Sequence, residues 1–508
     1  MQPKILLIYP PNQLMDIETP RPDGSLGPLY LAGALEAAGY ETDILDASIG
    51  TLSDSLKDTF FKPVKQANGL IRIGMTTARI QEEIAKGGYT VVGIASNFTP
   101  QMRMALEVAQ AAKQVSRDIY VVTGGVNARN LAERFLKSGV VDAVCLSEGE
   151  RIIVNLVRAL GKGEKFDEIT GLATMRDGKV VRREVSQDDI CVNLDDLPFP
   201  AWEKLAFAHY DHVTAPHAVL PFGDDRYMPI MFSRGCPFRC EYCHISVEKA
   251  DTKRSGGIGA LRLKSIERVL QEVGRVQALG AKKLYIEDDS LLAKKERVCV
   301  IFNAIRGRGL QIADVNGVNL VHFQKNEGGR LVIDRDYLLL LKEAGFDQIV
   351  FPVESASQRI LDRYATAKLN HETLNVHELV RIAVKVGIAC PINMMIGFPD
   401  ETEDEMRKSI ELGKQLVEAG APYCTFFIPI PFPGSGLYEL ALSKGHLNRD
   451  FDTDIFNWKN AVMRNTVVPP ERILELRDEG WRYANTDSHV RARLEASIGT
   501  RWQSGRPA

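Results

Sequence analysis

Residues 233–247, SRGCPFRCEYCHISV, set three cysteines in one short loop and follow the last with a histidine. Two chemistries compete for it. Cys240 to His244 spells C-x-x-C-H, the attachment signal for a c-type haem. Cys236, Cys240 and Cys243 spell C-x-x-x-C-x-x-C, which leaves a metal cluster one protein ligand short. Thiolates select zinc, Cu(I) or iron–sulfur clusters. A structural zinc wants four closed ligands, usually as two pairs, and no second C-x-x-C exists. His244 beside Cys243 makes tetrahedral closure difficult and is expected to pack or support. A four-iron cube is normally held by four cysteines. Three in one loop can bind three irons and leave the fourth open to react.

The rest of the composition weighs against haem. Haem attachment of this kind belongs mostly to exported proteins. Here the N-terminal apolar run is Ile5–Tyr9, closed by Pro10 and Pro11. That is too short for a signal peptide or a membrane span, so the expected compartment is the cytoplasm. The haem reading also leaves Cys236 unexplained and lacks an indicated distal ligand. Cys145, Cys191, Cys299, Cys390 and Cys424 are scattered and read as small buried apolar residues. With 45% apolar and 25% charged residues and a net charge of −3, the chain reads as globular, with no general affinity for nucleic acid.

Such a loop needs a scaffold, and 508 residues are enough for two or three domains. The first 160 residues alternate apolar strand and helix: KILLIYP, LGPLYLAGALEAAGY, ETDILDA, YTVVGIAS, PQMRMALEVAQAAKQV, DIYVVTGG, NLAERFLKS and VDAVCLSEGE. This predicts a doubly wound, Rossmann-like α/β domain over 1–162. Its ligand should sit beyond the strand carboxyl ends, at loops 10–13, 46–50, 96–100, 123–127 and 147–150. Residues 163–225 read as a connector containing a small D-G hairpin.

A second alternation begins near Tyr227. Strand candidates are YMPIMFSRG, KKLYIEDDS, QIADVNGVNL, QIVFPVES, IACPINMMIGFP and YCTFFIPIPFPG. Six β/α units predict a partial parallel barrel over 226–445, followed by a polar helical region over 446–508. Catalytic groups in such barrels sit at the carboxyl ends of strands. The cysteine loop follows the first strand directly and so lies at that mouth.

With these pieces in place, the segment CPFRCEYC resembles the signature of the radical S-adenosylmethionine (SAM) superfamily. YIEDDSLL, VFPVESAS, NMMIGFPDET and IPFPGSGLYE fall in the order expected for its barrel. Residues 1–160 resemble the cobalamin-binding domain that precedes the barrel in the cobalamin-dependent subclass. The phrases LGPLYLAGALEAAGYETDILDA, VVGIASNFT, VVTGG and LSEGE carry that likeness.

The resemblance implies a 4Fe–4S cluster on Cys236, Cys240 and Cys243, with SAM chelating the open iron and yielding a 5′-deoxyadenosyl radical. It implies Asp288 and Asp289 for the methionyl ammonium and Glu354, with Ser355, for the ribose or amino group. Tyr242 would pack near adenine. Ser96, Thr99, Gly124, Gly125, Glu148 and Gly149 would surround the nucleotide tail of cobalamin. Domains that ligate cobalt with histidine carry D-x-H-x-x-G after the second strand. Here Asp46 fits, Ser48 takes the histidine position and Gly50 comes one residue early. The implied activity is methyl transfer from methylcobalamin to an unactivated carbon or phosphorus centre of a small molecule, with an electron donor such as flavodoxin or ferredoxin. The alternatives are ring formation or rearrangement on the same architecture, and a non-catalytic cobalamin carrier or sensor.

Overall fold

The computed structural model describes residues 2–15, 25–164, 166, 168–213, 226–314 and 316–491. Parts of the expected connector (165, 167 and 214–225) and of the expected C-terminal region (492–508) lie outside the described residues.

The first unit is a sheet built from β1 (Ile5–Tyr9), β2 (Thr42–Asp46), β3 (Val91–Ala95), β4 (Tyr120–Gly124), β5 (Ala143–Cys145), β6 (Leu172–Arg176) and β7 (Lys179–Arg182). Its order is β7-β6-β5-β4-β3-β1-β2, and β5 through β2 are parallel. The β1 run is apolar throughout because both faces are covered. Ile5 and Leu7 pack towards α1 (Leu26–Ala37) and α3 (Gly149–Lys162), while Leu6 and Ile8 pack towards α2 (Met102–Val115). The chain reverses its direction of travel across the sheet between β1 and β3. That is the switch point where such sheets bind ligands.

The segment 141–150, expected as a strand ending in a polar turn, is that: β5 stops at Cys145 and Glu148 starts the turn into α3. One expectation changes here. The D-G hairpin is no free connector. β6 and β7 are joined at Asp177 and Gly178, both left-handed at φ 49° and 72°, the geometry of a two-residue hairpin turn. β6 also pairs antiparallel with β5, so the first sheet continues well past residue 162.

The second unit has the six expected strand positions: β8 (Tyr227–Ile230), β9 (Lys283–Ile286), β10 (Gln311–Asp314), β11 (Phe346–Gln348) with β12 (Phe351–Glu354), β13 (Ile392–Met395) and β14 (Cys424–Phe427). All ladders between them are parallel. The fourth position is split. β11 pairs with β10, β12 pairs with β13, and a Gln348–Ala389 bridge joins the halves. Among the described residues β8 and β14 do not pair, so the barrel is open.

Within the described residues the expected polar helical end is helical at Pro470–Ala484 and again at 487–491, with a single 3-10 turn at Thr453–Ile455 before them. The stretch before it crosses back onto the first unit. Phe451 and Phe456 enter that unit's core, and Asp454 accepts from Gln13 at 2.9 Å and Asn68 at 2.8 Å. No described helix is long and apolar enough to cross a membrane.

Candidate active site

The cysteine loop hangs from the end of β8 by backbone constraints. The Phe232 amide donates to Asp288 at 2.7 Å, with the Ser233 hydroxyl on the other carboxylate oxygen. The Gly235 amide donates to Asp289 at 2.9 Å. Gly235 is left-handed at φ 80°, and a Cβ there would lie 2.4 Å from the Ala260 carbonyl oxygen. Only glycine fits such a turn. The Lys249 ammonium caps the carbonyls of Cys236, Pro237 and Phe238 at 3.0, 3.1 and 2.6 Å. Arg239 and Cys240 form a short antiparallel ladder with Thr366 and Ala365.

All three loop cysteines are free thiols. Burial pushes each thiol up, Cys243 to about 12, so metal binding must release protons. Three free thiols in one loop are the donor set of a cube, whose thiolates attach to separate irons.

A cavity of about 580 Å³ opens where the two units meet. One wall is the carboxyl ends of β1, β3 and β4 with Gly149 of α3. The other is Gly235, Tyr242, His244, Asp289 and Asn316 at the barrel mouth. Glycines on the first wall let the protein's own side chains close in: a Cβ on Gly93 would lie 2.7 Å from Leu7 Cδ2, and one on Gly149 would lie 2.9 Å from Leu31 Cδ2. Gly124, at the end of β4, leaves its backbone open to the cavity, with only Cys145 Cβ near, at 3.4 Å, which fits close approach of a bulky ligand.

Of the residues expected at the site, Tyr242, Asp289, Thr99, Gly124, Gly125, Glu148 and Gly149 line this cavity, while Cys236, Cys240 and Cys243 lie behind Gly235, Tyr242 and His244 and are not on its wall. Four others are off the wall too. Asp288 is 1% exposed and turned under the loop. Burial pushes its carboxyl up to about 7, against the Ser233 and Phe232 hydrogen bonds. Ser96 accepts from Asn127 at 2.9 Å and steadies the β4 turn from behind. Ser355 is fully buried and accepts from the Ser357 amide at 3.1 Å. Glu354 sits behind Tyr242, accepting from its hydroxyl at 3.0 Å and pairing with Lys368.

Charged residues also converge here, and Arg129, Glu150, Arg234, Glu248 and Arg262 among them were announced by no site motif. Arg234 pairs with Glu150 at 2.6 Å and Glu148 at 3.2 Å, and Arg262 pairs with Glu148. Arg129, on the short helix Val126–Asn130, pairs with Glu248, which lies 3.1 Å from His244. Burial disfavours the Glu248 carboxylate, but Arg129 and His244 outweigh it and hold the group at about 2. His244 therefore packs against the inter-unit Arg129–Glu248 pair. The faint signal for these residues was their neighbourhood: Arg234 flanks the cysteines, and Glu148 and Glu150 flank Gly149.

A family model for the radical SAM superfamily matches residues 230–413, and one for the B12 binding domain matches residues 24–157. An uncharacterized methyltransferase of Pyrococcus horikoshii is 30% identical over 407 residues, covering 80% of this chain and 79% of its own. Cytidylyl-2-hydroxyethylphosphonate methyltransferase of Streptomyces wedmorensis is 27% identical over 489 residues, covering 91% and 85%. The fold superposes on the radical SAM methyltransferase TsrM of Kitasatospora setae, solved with cobalamin and its 4Fe–4S cluster. The TM-score is 0.62 at 15% identity, over 96% of this chain and 82% of that one.

Fold, cavity and loop together define a radical SAM barrel facing a cobalamin-binding domain. The chain belongs to the cobalamin-dependent radical SAM methyltransferase family. Its two matched domains are those of the radical SAM superfamily and of B12 binding, which makes SAM and cobalamin its cofactors.

Proposed function

We propose that the protein methylates an unactivated carbon or phosphorus centre of a small molecule held in the cavity between its two units. One observation carries this reading: a single cavity is walled by both the cobalamin-domain strand ends and the cysteine-loop mouth of the barrel. Methyl donor and radical source must both reach one substrate atom, and only a shared cavity allows that. When bound, the cluster with SAM supplies hydrogen-abstracting power and cobalamin supplies the methyl group.

The chain's own residues hold and orient. Cys236, Cys240 and Cys243 anchor the cluster. Asp289, on the cavity wall, takes the methionyl ammonium of SAM, and Tyr242 packs beside its adenine. Thr99 and the bare backbone at Gly124, Gly125 and Gly149 receive the tail of cobalamin. Asp288 acts at one remove by holding the loop. An electron donor of the flavodoxin or ferredoxin kind, in the cytoplasm, supplies the reducing electron.

The test is an anaerobic incubation of the reconstituted chain with candidate acceptors and methyl-labelled SAM. Gain of the labelled methyl group in the product is expected. A product of altered mass without the label would replace this reading with ring formation or rearrangement. Cobalamin binding without any SAM turnover would replace it with a carrier or sensor.

A further inference from the structure

Lys368 is a buried lysine that no motif of the chain announces. It stands three residues beyond Ala365, the ladder partner of Cys240. Its side chain is 14% exposed and its ammonium pairs with Glu354, itself 8% exposed. The ammonium also lies 3.4 Å from the Tyr242 hydroxyl and 5.9 Å from the centre of that ring. Tyr242 sits between Cys240 and Cys243 in sequence, so the cation is held against the cysteine loop. The other lysine of the loop, Lys249, is held by three carbonyls.

The backbone is bent to make this arrangement. Glu354 and Ala367 both sit in the left-handed region, at φ 67° and 61°. For non-glycine residues that conformation is strained and persists only where the surroundings impose it.

We propose that Lys368 is the counter-charge of the cluster carried by Cys236, Cys240 and Cys243, with Glu354 as the opposing charge, and that this pair sets the cluster's reduction potential. The physics is direct. Reduction adds one electron, delivered by a one-electron donor of the flavodoxin or ferredoxin class, and so adds one negative charge to the cluster. A nearby cation stabilises the reduced form and a nearby anion destabilises it. Burial keeps both effects from being screened by salt. Cluster potentials are known to follow local charge and hydrogen bonding. Glu354 and Lys368 act through the cluster environment and are positioning residues.

This inference rests on the reading of the three cysteines as a 4Fe–4S site, so iron and sulfide are measured first. A wild-type chain that loads no cluster would sink that reading. The test proper is a potentiometric titration of the reconstituted full chain without SAM, followed by electron paramagnetic resonance. Lys368→Met should move the potential to more negative values and Glu354→Gln to more positive ones. The double variant, which removes both charges, should lie between them. Shifts in the same direction, or none in either single variant, would overturn the proposal. If Lys368→Met fails to load, Glu354→Gln decides alone: a positive shift upholds the proposal, and an unchanged or negative one overturns it.

Discussion

Arg234 donates to Glu150 at 2.6 Å, and that bond joins the cysteine-loop stem of the barrel to the first turn of α3 in the cobalamin domain. Both side chains are close to nine-tenths buried, at 12% and 9% exposure. The guanidinium also lies 4.7 Å from the centre of the Tyr30 ring of α1. The two halves of the cavity are thus held in fixed relation by charges shielded from water.

Removing one member of such a set strands the others. Arg234→Met leaves Glu150 without its cation, and breaking a buried pair from one side costs about 3–5 kcal/mol. A clear fall in melting temperature is expected, together with weaker cobalamin binding as the cavity loosens. A variant that melts with the wild type would show that the pair does not hold the units together.

The cysteine loop makes a second prediction. Replacing Cys236, Cys240 and Cys243 together by alanine should abolish iron binding and SAM cleavage. The wild type should hold about four irons after anaerobic reconstitution. His244→Ala should keep the cluster, because His244 faces Glu248 in the inter-unit charge cluster. Loss of iron in that variant would make His244 a ligand and revive the zinc or haem alternatives.

How much of this was legible beforehand depended on how local each feature was. The β1 and β3 runs announced themselves because strands buried on both faces must be apolar at every position, and the loop cysteines lie within eight residues of each other. Asp288 and Asp289 looked equivalent in sequence. Neighbours in extended chain point to opposite sides, so one faces the cavity and its twin lies beneath. Glu354 looked like a rim carboxylate because its partner Lys368 lies fourteen residues on, beyond an intervening helix. The Glu148–Arg262 pair spans 114 residues, and no local pattern encodes such a meeting.

Gly124 tests the cobalamin groove. It lies on the cavity wall with ordinary backbone angles, and a Cβ there meets only Cys145 Cβ, at 3.4 Å. Gly124→Val should therefore fold while filling space meant for ligand. Overpacking of this kind costs about 1–3 kcal/mol, or roughly fivefold to a hundredfold in affinity. A cobalamin titration followed by absorbance reads this, with the iron content as control. Unchanged affinity would place the tail elsewhere.

Glu401 predicts a pH dependence. One of its oxygens accepts from the Gly397 and Phe398 amides at 2.7 and 3.1 Å, while the other is buried without a partner. Burial, only partly offset by those amides, pushes the carboxyl up to about 8. The folded chain thus holds a proton that the unfolded chain, with a carboxyl near 4.5, has lost. The contribution to stability is full below that lower value and disappears as pH rises through about 8. Glu401→Gln should flatten this decline in thermal unfolding between the two values. An equally steep decline in the variant would assign it to another group.

The last prediction concerns the lower face of cobalt. Ser48, at the position where a cobalt-ligating histidine would stand, is fully buried and donates to Asp46 at 2.6 Å. The other oxygen of Asp46 accepts from Tyr210 at 2.5 Å. Neither Ser48 nor Asp46 belongs to the cavity wall, so this loop has closed on itself and offers cobalt nothing. No histidine precedes His209 in the chain, and the His209 ring lies 2.8 Å from the Thr51 carbonyl oxygen. Among the described residues the single imidazole of the cavity wall, His244, comes from the barrel side. Cobalamin should therefore bind with its own base displaced and no imidazole beneath it. A weak lower ligand favours the low-valent metal and eases loss of a methyl group, as the proposed transfer requires. Electron paramagnetic resonance of the cobalt(II) form should lack superhyperfine splitting from an axial nitrogen. Such splitting in the wild type would refute the expectation, and its loss in His244→Ala would name the ligand.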